Sequence, residues 1–238
     1  MTHMHIPDGV LPVWFWVLGF IVMSMIMGFS LYRLRAMDMK KKIPLLGALS
    51  AAMLVGMSLP TELILPGYHI NLSVVTGILI GPALGFVAAF IANVILALMG
   101  HGGITVIGLN TLLLGSEAVL GHGFFYLFKR FPVFWRAVFA TVLTLFITTL
   151  ILVGFVGMSH FDPELLHHGE EHGRELQGNG SITTFAVLVF TIGVVGWLIE
   201  ASITGVVIRF ISQVKPDLLG HMLHVNKDGK GPGGDDRD

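Results

Sequence analysis

Cysteine is absent from all 238 residues, which excludes disulfides, thiolate metal sites and cysteine nucleophiles. Charge is also scarce. Asp, Glu, Lys and Arg make up 12% of the chain, about half the roughly 25% of a soluble domain, so most of the surface must face something other than water. The phosphate-binding pattern G-x-x-x-x-G-K-[ST] does not occur, and the chain is not expected to hydrolyse ATP itself. H-E-x-x-H, the helical zinc pattern of metalloproteases, does not occur either. No Lys or Arg precedes the first apolar stretch and no A-x-A site follows it, so the first 30 residues read as a retained helix rather than a cleavable signal.

What is present is apolar surface: 54% hydrophobic residues and a mean hydropathy of +0.81. Runs near the length of about 20 residues that crosses a bilayer recur along the chain. The expected fold class is all-α, a polytopic membrane protein with about seven transmembrane helices. The windows are 11–33, with Trp14 and Trp16 as interfacial anchors, 43–58, a pair sharing 70–99 and hinged at Gly81-Pro82, 103–128, 133–158 and 182–212. The third is short for a full span. Residues 1–214 form one seven-helix membrane domain, and 215–238 a polar, Gly-rich tail expected to be disordered.

Basic residues set the orientation. With seven spans, 13 of the 14 Lys and Arg residues share one side and Arg174 lies opposite, which puts the amino terminus outside and the carboxyl terminus in the cytoplasm. The localisation that follows is a multi-pass cell membrane protein with the lipid bilayer around it; nucleic acid is not an expected partner. Histidine sorts the other way. His3, His5, His69, His101, His160, His167, His168 and His172 fall outside, beside Asp8, Glu62 and a loop at 160–180 with four His and five acidic residues. Imidazole and carboxylate on one face suit divalent transition metals. The 160–180 loop reads either as a solvated charged loop or as a low-affinity metal collector.

The chain opens MTHMHIPDG, and a free amine followed closely by His is a chelator. The amine, a deprotonated backbone amide and imidazole Nδ1 close five- and six-membered rings about one ion. In-plane nitrogen donation of that kind suits Ni(II), Cu(II) and, less readily, Co(II), whereas Mg(II) and Ca(II) prefer oxygen. An amine directly before His supplies three donors, and His69, expected in an exposed loop at the mouth of the short third helix, is the natural fourth.

MHIPDG at Met4–Gly9 resembles the amino-terminal signature of substrate-binding membrane subunits of cobalt/nickel energy-coupling-factor transporters, the CbiM/NikM family. Gly67 and His69 before span three, Gly81-Pro82, GHGGITVIGLN at 100–110 and IEASITGVV at 199–207 match in order, and the similarity covers about residues 4–212. The resemblance implies uptake of Ni(II) or Co(II) as transported substrate, no cofactor, and metal held by Met4, His5 and His69. It also implies partners: a transmembrane coupling subunit, cytoplasmic ATP-binding subunits and a small accessory membrane subunit. Two departures stand out. Members usually begin at the Met of MHIPDG, whereas Met1-Thr2-His3 precedes it here. A chain begun at Met1 makes Met1-Thr2-His3 a four-nitrogen chelator independent of His69; loss of Met1 leaves Thr2-His3; a start at Met4 restores the family arrangement and is the expected one. Second, His101 stands where an acidic residue is commoner, as an accessory ligand or a solvated loop residue.

Glu117, His122 and Glu200 fall inside spans, where ionisable groups are costly and default to functional candidates. Glu200 is expected nearer the cytoplasmic half, in an internal hydrogen bond or against a partner helix. Asn93 and Asn110 are expected to bridge helices, with Asn110 able to support the site from behind the ligands. Small residues (Gly47, Ala48, Ala51 and Ala52; Gly193, Gly196 and Ala201) permit close helix approach, within the subunit or to a second one. The rival reading is a membrane-embedded zinc-type hydrolase, which needs an open coordination position with a general base beside the ligands; His122 stands alone in its span.

Overall fold

A computed structural model of the chain describes residues 11–35, 39–40, 42–59, 68–100, 102–159 and 182–219. Among the described residues all regular structure is helical: α1 (Val13–Leu34), α2 (Ile43–Ser58), α3 (Ser73–Ile80), α4 (Pro82–Leu98), α5 (Ile107–Leu127), α6 (Val133–Ser159) and α7 (Ile182–Val214), then a 3-10 turn at Pro216–Leu218. Each expected apolar window holds one helix. By length and composition α1, α6 and α7 can each cross a bilayer, and α2 and α4 are shorter apolar helices. The eight residues of α3 rise about 12 Å at ~1.5 Å each, well short of a hydrocarbon core of about 30 Å.

The break between α3 and α4 follows from two residues. Gly81 sits at φ 87 and ψ 169, a conformation a Cβ disfavours. Pro82 then occupies the first helical position, where its missing N–H costs nothing.

Helix α5 is the hub, packed against α1, α3, α4 and α6. Its approach to α1 runs through Gly108, where an added Cβ would lie 2.7 Å from the Phe20 backbone nitrogen. On α3, a Cβ at Gly77 would enter the Ala118 carbonyl of α5. The same Gly77 carbonyl accepts a hydrogen bond from His122 Nδ1 at 3.0 Å, which fixes the proton on that ring nitrogen. Asn93 ties α4 to α5 by donating to the Ile107 carbonyl at 3.3 Å and to Thr111 Oγ1 at 3.1 Å. His122 and Asn93 are therefore joints between helices. Gly77→Ala is expected to cost about 1–3 kcal/mol by overpacking, read as a lower unfolding temperature in detergent. Gly47→Ala is the control, because nothing lies within 4 Å of a Cβ there; equal effects would refute this account of the α3–α5 contact.

Apolarity does not mark the inner faces. Leu18, Ile21, Met25 and Phe29 of α1 are exposed, whereas Phe15, Gly19, Met23 and Ser30 are buried. On α7 the buried side chains are Trp197, Glu200, Ala201, Thr204 and Ile208, a helical stripe of three- and four-residue steps. Leu219, in the stretch expected as tail, is fully buried within the main core cluster.

Candidate functional site

An irregular strap, residues 68–72, leads into α3. It is buried: Tyr68, His69 and Asn71 are 2%, 7% and 5% exposed. The expectation of an exposed His69 is thus corrected. It lies outside a helix, but the strap is drawn into the bundle by polar groups from two helices, α5 and α7.

Two carboxylates hold the strap. Asn71 Nδ2 donates to Glu117 Oε2 of α5 at 2.6 Å, and Thr148 Oγ1 of α6 donates to Glu117 Oε1 at 3.2 Å. Asn71 Oδ1 accepts the Ser73 N–H at 2.8 Å, an Asx-type turn that starts α3. From α7, Glu200 Oε2 accepts the Tyr68 hydroxyl at 2.8 Å and Glu200 Oε1 accepts the Leu72 N–H at 3.2 Å. Glu200 therefore makes the expected internal hydrogen bonds, and they go to the strap that carries His69. Both buried carboxylates are fully engaged, as burial of such groups requires.

Under the strap lies a cavity of about 20 Å³, with His69, Asn71, Asn110, Glu117 and Thr148 as its polar wall and Leu113, Leu114 and Leu152 as its apolar one. That is room for roughly one water-sized body. His69 and Asn110, both candidates from the sequence, meet here. A larger groove of about 480 Å³ beside Phe139, Phe146 and Trp197 is lined by aromatic and aliphatic side chains and presents no carboxylate or imidazole to an ion.

The start of α1 reaches the same place. Leu11 is buried in a cluster with Phe15, Val106, Leu109, Leu113 and Leu152, and Leu113 and Leu152 also line the cavity. The start of α1 and the His69 cavity thus share Leu113 and Leu152 as neighbours in one cluster and one wall. His3, Met4, His5 and His101, and the four histidines of the 160–180 loop, lie outside the described residues. Among the described residues no group of three His, Asp or Glu side chains could hold a metal, so the described part holds no complete ligand set.

Asn71, Thr148 and Tyr68 were not anticipated. Asn71 and Thr148 reach Glu117 across 46 and 31 residues of sequence. The only available signal was the carboxylates themselves, since a buried Glu demands donors.

Comparison with known proteins agrees with this architecture. The family described as CbiM, cobalt uptake substrate-specific transmembrane region, matches residues 5–218. The fused nickel transport protein NikMN of Archaeoglobus fulgidus is 28% identical over 91% of this chain and 68% of its own length. The cobalt transport protein CbiM of Methanococcus voltae is 26% identical over 95% of this chain and 99% of its own. Crystal structures of a transition metal transporter and of a truncated one share the fold, with TM-scores of 0.73 and 0.72 at 20% and 21% identity. They cover 91% and 88% of this chain, and the chain covers 97% and 99% of theirs. The apolar helices and these relatives make it a multi-pass cell membrane protein, and the match across nearly its whole length shows that the chain belongs to the CbiM family of cobalt-uptake, substrate-specific transmembrane proteins.

Proposed function

We propose that this chain is the substrate-binding component of an energy-coupling-factor transporter, and that it captures Ni(II) or Co(II) at the outer face through its amino-terminal segment and His69. Membership of the family makes it the transmembrane component of cobalt/nickel uptake. The finer reading rests on one observation: Leu11 belongs to the same buried cluster as Leu113 and Leu152, two residues that also line the His69 cavity. Five residues lie between His5 and Leu11. Extended chain covers about 3.3–3.6 Å per residue, so the reach of the segment from Leu11 is on the order of 20 Å. In this proposal Met4 and His5 use it to meet His69.

The donor chemistry fits. An amine, an amide nitrogen and two imidazoles form a planar four-nitrogen set suited to Ni(II), and less readily to Co(II). Asn110, and His101 or His3 where they approach, would support the ligands by hydrogen bonds. In this reading a transmembrane coupling subunit and cytoplasmic ATP-binding subunits, with a small accessory membrane subunit, drive the inward step.

Purified protein is expected to carry about one tightly held Ni(II) or Co(II), as one planar ligand set allows. His69→Ala should lose it while still inserting, because His69 lies outside every helix. Metal content after gel filtration reads the result, and unchanged stoichiometry and affinity in the variant would remove His69 from the ligand set.

A further inference from the structure

Tyr68, the neighbour of His69, is held by a socket on α7. Its ring lies against Gly196, where any Cβ would enter the ring. Its hydroxyl reaches Glu200, one turn further along the same face of the helix. Glu200 also accepts the Leu72 N–H at 3.2 Å. Leu72 has φ 56 and ψ 16, and it is the one non-glycine residue with positive φ among those described. An L-residue with a branched side chain holds that conformation only where its surroundings enforce it. A single carboxylate therefore binds the strap on both sides of His69, at Tyr68 and at Leu72.

We propose that Glu200, with Gly196, is a positioning device for metal capture: it fixes the strap so that His69 presents its nitrogen at one place and angle. Glu200 does not touch the ion. Its bonds go to the Tyr68 hydroxyl and the Leu72 N–H, and it is absent from the cavity wall. The proposal rests on the assignment of His69 as a ligand. A four-nitrogen planar ion is demanding of geometry. A free strap would leave His69 to be ordered at the moment of binding, and supports of this kind typically govern about 10- to 100-fold in affinity.

The test uses full-length protein in detergent, titrated with Ni(II) and followed by calorimetry and by the visible d–d absorption of the bound ion. Glu200→Leu is expected to weaken binding about 10- to 100-fold and to shift the absorption as planarity is lost. Glu200→Gln should recover most of the affinity, because its oxygen can still accept from the backbone while the Tyr68 hydroxyl turns to accept from its amide. Tyr68→Phe should give part of the loss, and the Tyr68→Phe/Glu200→Leu double variant no more than Glu200→Leu alone, since both remove one shared interaction. Gly196→Ala should resemble Tyr68→Phe although Ala is the better helix former, so a weaker α7 cannot be the cause. Should Glu200→Leu fail to insert, Tyr68→Phe and Gly196→Ala carry the test, as both keep Glu200 and the bond it accepts from the Leu72 N–H. His69→Ala separates the two ideas. If it loses Ni(II) while Tyr68→Phe, Gly196→Ala and any Glu200 variant that inserts keep wild-type affinity and absorption, the clamp is wrong and the ligand assignment stands. If His69→Ala keeps Ni(II), the ligand assignment itself falls.

Discussion

Replacing Glu117 with leucine is expected to abolish tight metal binding and to lower stability by about 2–5 kcal/mol, since two buried donors each lose a partner at about 1–3 kcal/mol. The donors are Asn71 Nδ2 and Thr148 Oγ1. Thr148 has a second choice, the Leu145 carbonyl at 3.3 Å, so Asn71 bears more of the loss. Asn71 also starts α3 through its bond to the Ser73 N–H, and the strap carrying His69 loosens with it. Glu117→Gln behaves differently. The Gln oxygen can accept from Asn71 while its amide donates to Thr148, whose hydroxyl accepts as readily as it donates. Its unfolding temperature should therefore stay near wild type. Its affinity for Ni(II) should still fall, because the carboxylate that faces the cavity with His69 no longer balances the charge of the ion. Thermal unfolding and calorimetric titration separate the two effects. A Glu117→Leu protein that melts and binds like wild type would refute this account of the strap.

Helix number and bounds were legible because apolar length and breakers act locally. Span two ends where expected at Ser58, and Gly81-Pro82 divides α3 from α4. What each helix buries was not legible. In a bilayer the outer face is as apolar as the inner one, so Leu18 and Ile21 face out while Gly19 and Ser30 turn in. Of the small residues singled out, Gly196 does mark a close approach, to the Tyr68 ring, whereas Gly47 has open space before it. The close approaches at Gly77 and Gly108 were not singled out.

The site was legible in outline. His69 and Asn110 were singled out from loop position and spacing, and one cavity joins them. Glu117 and Glu200 stood out because charge within a span needs a reason. The internal hydrogen bonds expected of Glu200 are present, but their partners were not legible. Tyr68 comes 132 residues before Glu200, and no local pattern announces such a pair.

The second large effect concerns the amine. A protein whose first residue is Met4 should bind Ni(II) through the Met4 amine, the His5 amide and imidazole, and His69. Residues added ahead of Met4, or acetylation of its amine, should then abolish tight binding although every imidazole remains. A protein that keeps Met1 has Thr2 between its amine and His3, so it closes a four-nitrogen set of its own and should bind independently of His69. The terminal mass of each protein is read first, because loss of Met1 would expose Thr2 directly before His3 and restore the need for His69. Protons compete with the ion in a definite direction. A free amine has a pKa of about 7.7–8.0 and His about 6.5, and both must be deprotonated to bind. Affinity should therefore fall as pH drops through neutrality and recover above it, more steeply in the Met4-start protein than in an acetylated one, whose residual weak binding depends on imidazole alone. Metal affinity is measured for Met1-start and Met4-start proteins, each with His69 and with His69→Ala. Loss on His69→Ala in the Met4-start protein alone supports the amine–His5–His69 set. Equal affinity in all four would show that neither the amine nor His69 holds the ion, and the capture site would have to be sought elsewhere on the outer face.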